Sequence, residues 1–281
     1  MSQRYTHGHH ASVLASHAHR RAADSAAYLL PHLRPGMRLL DVGCGPGTIT
    51  LDLAAALDDG TGDDGTGNGE ASGSGCVVGV DSAPAAIEAA RAEAAQRAQE
   101  GVRFEVADVS ALPYEDGAFD VVHAHQVLHH LPDPVAALRE MARVTAPGGL
   151  VAARECDYGS MRWWPTSSGL DRWMELYQEL SAGNRAHSDA GRRLRSWALA
   201  AELTDVTATA SVWCYATAEA TAWWGESWSH RAVESSFAGQ ALERGLADAD
   251  ELASIARAWR DWGSDPGAWF TMTHGEILAR P

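Results

Sequence analysis

The stretch LLDVGCGPG, Leu39 to Gly47, runs an apolar strand straight into a turn containing Gly43, Gly45 and Gly47, and a helical pattern begins at Thr48. Glycine lets the backbone approach a ligand closely, and the free N–H groups at a helix start can bind one. Strand, glycine turn and helix in this order predict a nucleotide-type cofactor at the edge of a parallel sheet. The spacing is GxGxG, one residue short of the dinucleotide fingerprint, so a glycine turn without a ligand is the other reading of the same letters.

The flanking sequence alternates short apolar runs with helical stretches, the pattern of a parallel sheet covered by helices. Strands are expected at Arg38 to Val42, Cys76 to Asp81, Val102 to Ala107, Asp120 to His125 and Leu150 to Glu155. Helical spacing marks Thr48 to Leu57, Ala83 to Gln99 and Pro134 to Val144. Two further strands are expected at Thr204 to Ala210 and Trp269 to Leu278, the second closing the sheet after a mostly helical insertion from Thr217 to Gly263. The stretch from His10 to Leu33 reads as helical and ends at the pair Pro31 and Pro35. The expected fold is α/β, a doubly wound, seven-stranded, mostly parallel sheet with an N-terminal helical cover and a Trp-rich helical lid. The 281 residues are read as one domain, with a cover at 1–35, a core at 36–156 and lid segments and last strands at 157–281.

Composition narrows the functions. Thirty-seven acidic against 22 basic residues give a formal charge of −15, which repels nucleic-acid backbones and anionic lipid, so neither is expected as a partner. Every basic residue is Arg; without Lys there is no Schiff base and no P-loop. Cys44, Cys76, Cys156 and Cys214 are widely spaced, which indicates neither a disulfide framework nor a zinc site and suits a reducing cytoplasm. No run reaches the ~18 apolar residues of a membrane span, and the N-terminus lacks a signal-peptide core. Residues 58–75, DDGTGDDGTGNGEASGSG, read as a polar surface insertion. All eleven Trp residues come after residue 160.

Two carboxylates extend the cofactor reading. Asp81 ends the second strand, where it can accept hydrogen bonds from ribose hydroxyls; it stands 38 residues beyond Gly43, and the 18-residue insertion accounts for the excess over the usual ~20. Capping the next helix is a second role for that position, open to Ser82 as well. Asp108, after the third strand, can meet an exocyclic amine of adenine while the Val109 amide meets a ring nitrogen.

Taken together, LDVGCGPG, GVDSAP, Asp108, FDVVHAHQVLHHLPD (Phe119 to Asp133) and APGG (Ala146 to Gly149) resemble the class I S-adenosylmethionine-dependent methyltransferases, within them the ubiquinone/menaquinone-biosynthesis type of domain, over residues 36–156. The resemblance implies S-adenosylmethionine as cofactor and S-adenosylhomocysteine as product. It implies that Asp41, Gly43, Cys44 and Gly45 hold the methionine end, Asp81 with Ser82 beside it the ribose, Asp108 and Val109 the adenine, and His125 or Gln126 the amino-acid portion.

A sulfonium methyl needs little activation, so catalysis is chiefly in-line positioning, with a base where a hydroxyl or cationic amine must lose a proton. His129, His130, Glu155 and Asp157 are the candidate bases. Similar O-methyltransferases pair a His of such a doublet with an acid ending the next strand, here Glu155; packing of the crossover is the competing role. Tyr5, His17 and Arg20 would border the active site if the N-terminal segment folds over the cofactor, whereas a solvated tail is the alternative. His7, His9 and His10 lack clustered Cys or carboxylate partners, and no metal is expected. Trp163, Trp164 and Trp224 belong to the pool from which a substrate pocket would be drawn, most of the Trp residues being helix core. Arg192, Arg193 and Arg195 form either an anion site or a solvated face. The expected activity is methyl transfer to a small-molecule acceptor, O or N before C. A nicotinamide-dependent oxidoreductase and a non-catalytic S-adenosylmethionine-binding module are the alternatives, and the oligomeric state, a dimer included, is left open.

Overall fold

The computed structural model describes residues 20–58 and 76–281. Residues 59–75 of the acidic insertion, Tyr5, His17 and the histidines at 7, 9 and 10 lie outside them. In chain order the elements are α1 (Ala22–Ser25), β1 (Leu39–Val42), α2 (Thr48–Leu57), β2 (Val77–Asp81), α3 (Pro84–Gln96), β3 (Val102–Val106), β4 (Phe119–His125), α4 (Pro134–Val144), β5 (Thr145–Cys156), β6 (Arg162–Trp164), α5 (Ser168–Gly183), α6 (Leu194–Ala200), β7 (Thr204–Tyr215), α7 (Ala218–Glu234), α8 (Ser236–Glu243), α9 (Ala249–Ser264) and β8 (Trp269–Arg280).

The sheet runs β3-β2-β1-β4-β5-β8-β6, with β7 on the other side of β8. β1 to β5 pair in parallel, and β8 is antiparallel to β5, β6 and β7. It holds eight strands rather than seven because RWW at Arg162–Trp164, too short to show a period of two, pairs with Thr271, Phe270 and Trp269 on the same edge of β8 that β5 occupies farther along. Within Arg20 to Leu33 the chain forms only the four-residue α1 and a single 3₁₀ turn, Leu30–His32, in place of one continuous helix. Pro31 falls inside that turn and Leu33 is extended before it reaches Arg34 and Pro35.

Local signals set most boundaries. The left-handed Gly47 opens α2, Asp133 caps α4 by accepting from the Ala136 amide, and Ser167, Thr217 and Asp248 do the same for α5, α7 and α9. All four residues of β1 are buried. One sheet face packs on α4 and α6 through Leu138, Met141, Leu194 and Ala198; the other packs on α2 and the N-terminal segment through Ile49, Leu53, Ala26 and Leu29. A separate core joins α5, α7 and α9 to β8, with Trp173, Trp228 and Trp259 almost fully enclosed against Phe270 and Met272. Among the described residues no helix is long and apolar enough to cross a membrane.

Candidate active site

The glycine turn lies at the carboxyl ends of β1 and β2. Gly43 and Gly45 have φ of +66° and +53°, conformations a side chain resists. A Cβ on Gly43 would lie 2.3 Å from Val127 Cγ2, whereas one on Gly45 would meet nothing within 4 Å. Gly43 therefore packs inward against the loop after β4, and Gly45 faces open space. The Gly45 amide donates to Asp81 Oδ2 at 3.1 Å and the Ala83 amide to Asp81 Oδ1 at 2.9 Å, so Asp81 ties the turn to the second strand end while staying half-exposed beside it. The Cys44 amide donates to the Val80 carbonyl. Asp41 sits beneath the turn, buried; its Oδ1 pairs with His123 Nδ1 at 2.8 Å and its Oδ2 accepts from the Thr50 hydroxyl at 2.5 Å. Asp108 is exposed on the rim past β3 and accepts from the Ser110 amide and hydroxyl, with Val109 buried behind it.

The opposite wall is the loop after β4. Gln126 is held at φ +55°, and Glu155 of β5, fully buried, fixes the turn that follows. Glu155 Oε1 accepts from the amides of Val127 at 2.7 Å and Leu128 at 2.6 Å, and Oε2 pairs with His129 Nδ1 at 2.6 Å. The pair expected from the His doublet is thus formed, with the His130 ring 3.5 Å from that of His129. His129, Glu155 and Cys156 offer donor atoms within 4.8 Å of one another, but both carboxylate oxygens are already engaged, which makes the cluster a brace for the loop.

Burial opposes the charged form of His129, but Cys156 and Glu155 beside it outweigh burial and raise its pKa to about 10. The native state then keeps a proton that the unfolded chain gives up near pH ~6.5. The pair's contribution is complete below that pH and is lost as pH rises toward about 10. The melting temperature is expected to fall by several degrees across this window, and the His129→Gln variant to lack that slope. A native profile that stays flat would remove the ion pair.

Other expected residues go elsewhere. Trp224 is buried and stacked on Tyr215 with centroids 4.4 Å apart, and Trp163 stacks on Phe270; both belong to the C-terminal aromatic core. Trp164 is 61% exposed and its carbonyl accepts from Trp262 Nε1. Arg192 is no free anion site, since its Nε donates to Asp157 Oδ2 at 2.7 Å. That contact also engages Asp157, another of the candidate bases. The structure adds residues sequence reasoning passed over: Tyr28, Arg154, Trp213, His274 and Glu276 gather behind His125. Charged residues inside buried strands, as in VAARE and MTHGEIL, were the available signal.

A family model described as a methyltransferase domain matches residues 33–228. An uncharacterised methyltransferase of Schizosaccharomyces pombe is 32% identical, covering 98% of this chain and 95% of its own. The 27-O-demethylrifamycin SV methyltransferase of Amycolatopsis mediterranei is 35% identical over 61% of this chain and 56% of its own. Among solved structures, the YcgJ protein of Bacillus subtilis superposes with a TM-score of 0.56 at 16% identity, covering 90% of this chain and 97% of that one, a likeness of fold.

Proposed function

Since the chain belongs to the methyltransferase-domain family and uses S-adenosylmethionine as methyl donor, we propose that it methylates an oxygen or nitrogen of a small organic molecule by in-line displacement. The observation that carries the placement is the open turn: Gly45 has unfilled space over it, directly beside the half-exposed Asp81. The residues fit the donor. The Gly43–Gly45 backbone, shaped from below by Asp41, would take its methionine end, Asp81 the ribose, Asp108 and the Val109 amide the adenine, and Gln126 the amino-acid portion. When bound, the donor supplies a methyl carbon on a positive sulfur that departs as a neutral thioether.

The chain's own work is orientation. Glu155 fixes Val127 and Leu128, and Val127 in turn backs Gly43, so the two walls are braced against each other. A His129 that holds its proton at neutral pH suits bracing and electrostatic steering better than proton removal. The net charge of −15 and the lack of Lys favour a small acceptor over a nucleic acid. The relative named for 27-O-demethylrifamycin SV supports oxygen.

Asp81→Ala is expected to weaken S-adenosylmethionine binding by about 1.5–3 kcal/mol, the range for a hydrogen bond to a charged group. Calorimetry reads this directly, with the melting temperature as a check on the turn. Affinity equal to that of the native protein would take Asp81 off the ribose and the cofactor placement with it.

A further inference from the structure

Among the described residues, six buried polar side-chain atoms on one face of the sheet have no hydrogen-bond partner: Tyr28 Oη, His123 Nε2, both ring nitrogens of His125, Arg154 Nη1 and His274 Nδ1. Strand register places these groups together. His123 lies opposite Asp41, His125 opposite Arg154, and Arg154 opposite Glu276. The Tyr28 ring is 6.4 Å from that of His123, the His125 ring 6.0 Å from Trp213, and the Arg154 guanidinium 5.0 Å over the same indole. A buried polar atom left unsatisfied forfeits its hydration without return, so a concentration of them at one strand end marks a place for a guest. His125 immediately precedes Gln126, whose amide meets His274 Nε2 at 2.9 Å, so this face adjoins the cofactor wall.

The chemistry of the free atoms selects the guest. Arg154 Nη1 can only donate, the Tyr28 hydroxyl can donate, and a neutral imidazole with two free nitrogens offers one lone pair to be served. A carboxylate accepts but has nothing for that lone pair. An ammonium can donate but is opposed by Arg154. A hydroxyl does both. We propose that this face receives the hydroxyl group of the methyl acceptor and that His125 takes the hydroxyl's proton.

The proposal rests on the methyl-transfer reading and narrows it to an oxygen acceptor. The proton passes to a ring nitrogen of His125, the oxygen keeps the electron pair with which it takes the methyl, and the sulfur leaves with the pair of the broken S–CH3 bond. Burial, then the positive Arg154 and Arg20 and the neighbouring His274 and His123, push the His125 pKa well below the usual imidazole value, which keeps its lone pair free for the hydroxyl, where that of His129 is not, and opposes lasting protonation of the ring. Glu276 of β8 and Asp41 of β1 face the same cluster and offset the charge that arrives. Glu276 Oε1 accepts from Arg154 Nε at 3.2 Å and from the Ser211 hydroxyl.

The test loads the full chain with S-adenosylhomocysteine and titrates it by calorimetry with catechol and with its dimethyl ether, a matched pair that differs in hydroxyl protons. The native protein is expected to prefer catechol by about tenfold, the worth of one net hydrogen bond. His125→Leu is expected to abolish that preference in protein that still binds S-adenosylhomocysteine. His125→Asn, which can still accept a hydrogen bond but cannot take up the proton, is expected to keep the preference and to lower the turnover of catechol methylation by about 10²–10⁴-fold with KM nearly constant. Equal affinity for the two probes, no binding of either, or a preference that survives in His125→Leu overturns the proposal. Failure of S-adenosylhomocysteine to bind would instead sink the methyl-transfer reading beneath it.

Discussion

Glu155→Ala is expected to destabilise the fold by about 3–5 kcal/mol, the scale for breaking a buried charge pair from one side. The side chain is fully enclosed and serves three donors: the Val127 and Leu128 amides through one oxygen and His129 through the other. Alanine would leave two buried N–H groups and an imidazolium with no acceptor in reach. The loop carries Val127, which packs against Gly43, so the damage should reach the cofactor turn as weakened S-adenosylmethionine binding. Glu155→Gln keeps an amide oxygen for the two backbone donors but loses the ion pair, and its loss should fall between native and alanine. Urea denaturation of the three proteins gives the ranking; an alanine variant within about 1 kcal/mol of native would show that the brace is dispensable.

The second large effect is steric. At Gly275 of β8 an added Cβ would lie 2.0 Å from the Gly191 carbonyl oxygen and 2.5 Å from its carbon, and neither atom is the tip of a side chain that could turn away. Gly191 is itself closely packed, since a Cβ on it would lie 2.9 Å from the Glu155 carbonyl oxygen. Gly275→Ala must therefore push β8 off the Gly191–Arg193 turn, next to the row where β5 and β8 pair Glu155 with Gly275. A loss of about 4 kcal/mol or more is expected, at the extreme of single substitutions, with insoluble protein as the practical outcome. Gly239→Ala in α8 is the matched control: its Cβ would meet nothing within 4 Å, and alanine favours a helix by up to ~1 kcal/mol. A soluble Gly275→Ala with native stability would mean that the two backbones are not in contact.

The cofactor half was legible because its signals are local. Thr48 to Leu57 and Pro134 to Val144 fall on the observed helix bounds, where a left-handed glycine and an Asp-Pro start mark the first residue. The ends of β1, β2 and β4 followed from apolar runs stopped by Gly or by a polar pair. β7 ran on five residues past its expected end, to Tyr215, because its pairing with β8 continues through Phe270, a contact that alternation in one strand does not encode. The brace at Glu155 was half legible: the His doublet suggested the partner, but not that the same carboxylate holds two backbone amides. The polar face behind His125 was legible only in pieces: Arg154, His274 and Glu276 stand out as polar residues within apolar strands, but those strands are far apart in sequence and only their pairing in the sheet brings the three together.

The placement of the indoles has an optical consequence. The segments that present Gly45, Asp81 and Asp108 contain no tryptophan, while Trp173, Trp228 and Trp259 crowd one another, the last two nearly parallel at 5.7 Å. Tryptophan emission therefore watches the C-terminal half, and the nucleotide-side half contributes nothing to it.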